Sequence, residues 1–141
     1  MDDLAFIGEV AGRLGCDRHH AENIIYAVFR ELRDRLTPRE AADVAAQLPS
    51  ALKHFWREQE RSDRQVERTH VSDFVARIRE WAALADDDEA DRAVRVVFRE
   101  LQKLLGSSTG MEGEAWDVFS QLPKDLKKLW VASAARAQRE A

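Results

Sequence analysis

Val28-Phe29-Arg30-Glu31-Leu32 recurs 69 positions later as Val97-Phe98-Arg99-Glu100-Leu101, and the reading of that repetition decides the fold. Self-similarity at a nearly fixed distance marks a chain built from repeated supersecondary units. Toward the start, Phe6-Ile7 answers to Phe74-Val75 at an offset of 68. Toward the end, Gln47-Leu48-Pro49 answers to Gln121-Leu122-Pro123 at an offset of 74. Around that match, Glu40-Ala41 pairs with Glu114-Ala115, Val44 with Val118, Leu52 with Leu126, and Phe55-Trp56 with Leu129-Trp130. The growth in offset falls in Gly-Ser-Ser-Thr-Gly-Met-Glu-Gly, residues 106–113. A glycine-rich surface turn absorbs insertions at little cost.

Within each copy the apolar residues recur at three- and four-residue spacing, which predicts helices. Leu4, Ile7, Val10, Ala11 and Leu14 form a stripe over about residues 2–13, stopped by Gly15 as a left-handed cap. Asp17 is a good N-cap for a second helix over about 18–36, with Ala21, Ile24, Ile25, Val28, Phe29, Leu32 and Leu36 on its core side. Thr37-Pro38-Arg39-Glu40 reads as a capping box with proline at the first helical position. It opens a third helix over about 38–47, and Pro49 ends that helix and starts a fourth carrying Leu52, Phe55 and Trp56. The second copy predicts helices over about 72–85, 89–105, 113–121 and 123–139. The acidic run Asp86-Asp87-Asp88-Glu89 faces the positive end of the sixth helix. No sustained two-residue alternation and no Asn-Gly or Asp-Gly hairpin signal occurs.

The expected architecture is therefore all-α: two similar four-helix units in tandem forming a compact helical bundle. The first repeat spans residues 1–60, a charged linker or helix extension spans 61–70, and the second repeat spans 71–141. Arg57, Arg61, Arg64 and Arg68 alternate with Glu58, Glu60, Asp63 and Glu67 around the junction. Without a proline there, the stretch predicts a solvated helical extension of the fourth helix, fraying near Ser62-Asp63.

Composition sets the outer bounds. The chain has 141 residues, 45% hydrophobic and 34% charged, enough to bury about 68–70% of its unfolded surface in a core of its own. No run approaches 18 apolar residues, so no membrane-spanning helix is expected. Met1-Asp2-Asp3 is acidic where a signal peptide is basic, and the expected location is cytoplasmic. The single cysteine, Cys16, excludes an internal disulfide framework and a multi-cysteine metal site. A net charge of −4 and a pI of about 5.6 argue against nucleic acid as a partner. The 26 acidic and 22 basic residues divide equally between residues 1–70 and 71–141, so the halves do not attract each other by net charge. Apolar contact or the linker must join them.

The Phe-Ile/Val start, the long Val-Phe-x-x-Leu helix, the Glu-Ala pair and the Gln-Leu-Pro-x-x-Leu-x-x-Phe/Leu-Trp ending resemble the bacterial "domain of unknown function 2267" family, as two tandem copies. The resemblance implies an all-helical fold of two similar bundles in a bacterial cytoplasmic protein. It implies no activity and carries over no catalytic residue. The second copy departs from the first where Gly15 has no glycine counterpart and at the long 106–113 loop.

Candidate chemistry is thin. His19 and His20 are adjacent, so a helix cannot aim both at one metal, and a zinc pair wants three- or four-residue spacing. His54 and His70 have no repeat equivalents, and Cys16 reads as an inert turn cysteine. Gln47 and Gln121 sit at helix corners, where an amide satisfies freed backbone groups. Lys124, Lys127 and Lys128 form a small basic spot interrupted by Asp125. Arg30-Glu31 and Arg99-Glu100 are the charged pairs duplicated inside a core helix. Their expected place is the polar side of the stripe, as a solvated face or a salt bridge between the halves. A recognition surface, one per repeat, is the sharper reading. Trp56 and Trp130 are repeat-related and expected in the core. Trp81 matches Arg13 and Trp116 matches Ala42, so both are private to the second half, with a core place favoured over an interface. The expectation is a protein that is not an enzyme and holds no cofactor and no metal. It would act as an interaction or scaffold module that binds a protein or itself, with Arg30, Glu31, Arg99, Glu100, Trp81 and Trp116 as the candidate surface. The alternative is a sensor holding a small apolar ligand between bundles lined by Phe29, Phe98 and the tryptophans.

Overall fold

A computed structural model describes residues 2–61 and 63–135. Those residues form eight helices and no strand: α1 (Asp3–Leu14), α2 (Arg18–Asp34), α3 (Pro38–Ala46), α4 (Ser50–Arg57), α5 (Val71–Trp81), α6 (Asp87–Leu104), α7 (Gly113–Gln121) and α8 (Lys124–Ala132). The local signals act where they stand. The carboxylates of Asp2, Asp17 and Asp86 accept the amides of Ala5, His20 and Glu89, and the Thr37 hydroxyl accepts the amide of Glu40. Gly15 closes α1 at φ +65°. Residues 136–139 of the expected last helix lie outside the described residues, and α8 ends at Ala132.

The two four-helix units interleave. α1 packs against α2 of its own unit and α6 of the other, and α5 packs against α6 and α2 in the reciprocal manner. One continuous core results. Each unit centres on three aromatic rings. Phe6, Phe29 and Trp56 lie at centroid distances of 5.9 and 5.4 Å, and Phe74, Phe98 and Trp130 at 5.8 and 5.0 Å. All six are essentially inaccessible to solvent. Burial of each such side chain contributes about 1.5–3 kcal/mol or more, and tilted ring pairs add to it.

Polar contacts also join the units. Glu31 on α2 meets Arg77 on α5 at 3.6 Å, and Glu100 on α6 meets Arg13 on α1 at 3.2 Å. Of the two expected places for these glutamates, a solvated face or a salt bridge between the halves, they take the second, and both are buried. α2 touches α1, α4, α5 and α6, so its buried surface is wider than the apolar stripe alone. Glu31 is neutralised by Arg35 at 3.2 Å and Glu100 by Lys103 at 3.3 Å.

At the junction the charged linker is found rather than the favoured helical extension. α4 ends at Arg57, and Gln59 takes a left-handed φ of +62°. Residues 58–70 then run as a non-helical strap over the end of α2, with Ser62 outside the described residues. The reason is the carbonyls that the end of α2 leaves open to further donors. Arg64 donates to the carbonyls of Arg33 and Asp34 at 2.9 and 3.3 Å, and the Glu67 amide donates to Asp34 at 2.8 Å. Charge-assisted bonds of this kind outweigh the few tenths of a kcal/mol from each i,i+4 pair on an exposed helix.

Candidate functional site

The charged cluster with unusual chemistry is a seam between α3 and α7 that joins the two units. Pro38 and the Thr37 cap start α3 so that Glu40, Asp43 and Gln47 follow along its inner and outer edges. Their repeat counterparts Glu114, Asp117 and Gln121 follow along α7. The helices run in opposite directions, since the end of each meets the start of the other. Gln47 Nε2 donates to Glu114 Oε1 at 2.9 Å, and Gln121 Oε1 accepts the Thr37 amide at 2.9 Å. The capping box is therefore half local. Thr37 caps Glu40 as expected, but Glu40 does not return to the Thr37 amide, because Gln121 takes that donor from across the seam.

Freed from the cap, the Glu40 side chain turns inward and is only 7% exposed. One carboxylate oxygen each of Glu40, Asp43 and Glu114 lies within 4.8 Å of the others. Glu40 Oε2 and Glu114 Oε2 are both buried without a hydrogen-bond donor facing them. Burial pushes the Glu40 carboxyl up to about 9, helped by a hydrogen bond with Glu114 and by the negative charges of Glu114, Asp117 and Asp43. Asp43 is exposed and Glu114 half-buried, so the cluster is open to solvent on one side.

The other expected residues separate into two groups. Trp56 and Trp130 lie in the core, as expected. Trp81 and Trp116 do not: they are 54% and 46% exposed. The repeat register already contained the signal, because their counterparts Arg13 and Ala42 face solvent. Trp81 sits edge-on to Tyr26 at 6.4 Å and beneath the Arg30 guanidinium at 4.5 Å. Tyr26 meets Phe55 at 6.5 Å, so a row of partly exposed rings crosses α4, α2 and α5. Trp116 stacks on Phe119 at 5.4 Å within α7. Lys127 Nζ lies over the Phe119 ring at 5.4 Å from its centroid. Arg99 is half-buried on α6, and Glu31 and Glu100 serve the contact between the units.

His19 is exposed and His20 contributes its amide to the Asp17 cap. His54 and His70 are exposed beside Glu58 and Asp125. Cys16 borders a cavity of about 40 Å³ with Leu14, His20 and Arg92, room for about one water. Burial and the adjacent Asp17 push its thiol up, away from the reactive thiolate. Phe29 and Phe98, which a ligand sensor would need at a cavity wall, are covered by the rings of their own units. Among the described residues no helix is long and apolar enough to cross a membrane.

Residues 4–129 match the model of a family described as an uncharacterized conserved protein (DUF2267), and the chain belongs to that family. The matched span runs from α1 into α8, through both four-helix units. No curated protein matches the chain.

Proposed function

Proceeding from membership of that family, we propose that the protein is a non-catalytic helical module that binds a protein partner, or a second copy of itself, through the face carrying Trp81. The observation behind this reading is a large indole left half in water yet held in one orientation by Tyr26 and Arg30. Tryptophan, tyrosine and arginine dominate the energetic centres of protein interfaces. A ring already fixed by its neighbours loses little rotamer freedom on binding. The row belongs to both units, since Tyr26 and Phe55 come from the first and Trp81 from the second. In this reading the units are tandem copies of one ancestral four-helix element, and the surface exists only because the copies interleave.

The test compares the wild type with Trp81→Ala as paired baits in affinity capture, with light scattering on both. A protein retained by the wild type and lost from the variant supports the reading. So does a dimer of the wild type that the variant fails to form. Equal capture by both proteins, together with equal monomeric masses, overturns it.

A further inference from the structure

We propose that Glu40, Asp43 and Glu114 form a binding site for one divalent hard cation, Mg²⁺, Mn²⁺ or Ca²⁺, that clasps α3 to α7. The site stands apart from the Trp81 face and does not depend on its role. Three carboxylate oxygens from two helices converge within 4.8 Å of one another. Oxygens around a cation at about 2.0–2.6 Å lie no more than about 4–5 Å apart, so the spacing fits a shared ion after small side-chain adjustments.

A cluster of acids is common at a protein surface and would prove nothing alone. The second observation is the state of Glu40. It is more than nine-tenths buried, it points into the cluster, and its Oε2 has no donor. Buried carboxylate oxygens are ordinarily satisfied. Glu114, Asp117 and Asp43 all place negative charge near Glu40. A cation would supply both the missing partner and the missing charge. Gln47 fixes Glu114 by bonding its Oε1, while Oε2 is buried without a partner, the arrangement in which an outer partner orients a ligand. Asp43, on the open side, gives the ion a way in, and water completes the shell. An all-oxygen donor set selects hard cations over zinc or copper, which favour nitrogen and sulfur.

The experiment is calorimetric titration of the full chain, first stripped with chelator, with MgCl₂, MnCl₂ and CaCl₂ in turn. Mn²⁺ electron paramagnetic resonance reports coordination independently. The expected result is saturable binding of one ion per chain by at least one of the three. Glu40→Gln matches a protonated carboxyl in shape, and Asp43→Asn lies at the surface, so both variants keep the fold. Each should weaken binding at least about 10–100-fold, the loss seen even for outer partners of a metal site. Circular dichroism confirms that both variants are folded. Absence of saturable binding by the wild type for all three cations, or equal binding by wild type and both variants, overturns the proposal.

Discussion

The two four-helix units solve one problem with different residues. In each, a central tryptophan carbonyl near the end of the last helix needs a donor. In the first unit Arg33 Nη1 donates to Trp56 at 3.1 Å, and in the second Gln102 Nε2 donates to Trp130 at 2.9 Å. Arg33 and Gln102 occupy the same position of the repeat. The arginine goes further. It reaches the Glu58 carbonyl at 2.6 Å and Asp34 at 2.9 Å, and so ties the strap to α2. The glutamine has no strap to hold and instead lies beside Gly110, whose added Cβ would come within 2.9 Å of it. The indole nitrogens differ likewise: Trp56 donates to Ala41 within α3, and Trp130 to Gly110 within the inserted loop. A common scaffold thus tolerates different polar partners wherever the chain beside it differs.

That comparison breaks most readily at its centre. Trp56→Ala and Trp130→Ala should each cost about 3–5 kcal/mol in urea unfolding. A much smaller loss for one of them would mean the units do not share an equivalent core. The next largest effect is a pH dependence at the seam. In chelator, the Glu40 carboxyl titrates near 9 in the folded protein against 4.5 for the free group. A raised value means that the proton favours the folded state. Its stabilisation is complete below about 4.5 and is lost as pH rises toward 9. Glu40→Gln should flatten urea midpoints across that window, and an unchanged profile would show that no proton is held there.

Arg33→Leu should cost about 2–3 kcal/mol, because a charged donor to several carbonyls is removed. Gln102→Leu should cost about 1–2 kcal/mol, the loss of one neutral bond to a buried carbonyl. Equal costs in urea titrations would show that the strap adds nothing. The smallest effect concerns the first turn of each unit. Gly15 and Ala83 occupy equivalent positions, and both are left-handed, at φ +65° and +54°. Only glycine takes that conformation without strain of about 1–2 kcal/mol. Ala83→Gly should therefore raise stability by up to about 1 kcal/mol, and Gly15→Ala should lower it by about 1–2 kcal/mol. Paired thermal melts read both changes.

The departures from sequence-based expectation share a pattern. Glu31 and Glu100 read as polar-side residues, solvated or bridging the halves, because their own helices show a stripe elsewhere. They are buried because a helix of the other unit lies over them. Trp81 and Trp116 read as core because large rings are usually buried, but they sit at positions where the first unit carries Arg13 and Ala42. The Glu40–Glu114 match stood in the repeat alignment, yet nothing in the spacing told that the matched residues meet. The strap read as a helix because its i,i+4 charge pairs were visible and the carbonyls it covers were not.

What residues within about four positions of one another can settle was written in the chain: the eight helices of the described residues, their caps at Asp2, Asp17, Thr37 and Asp86, the stop at Gly15, and two oily stripes. Those signals act through bonds and faces that a single helix supplies for itself. Tertiary structure decided the rest. α4 and α5 have no side-chain cap of their own, and the starts of both are held by carboxylates from distant helices. Asp3 accepts the amides of Ala51 and Leu52, and Asp125 accepts that of Val71. The seam acids are close for the same reason. Whether a carboxylate is solvated, paired or crowded depends on what packs over it, and in this fold that neighbour comes from the other half of the chain.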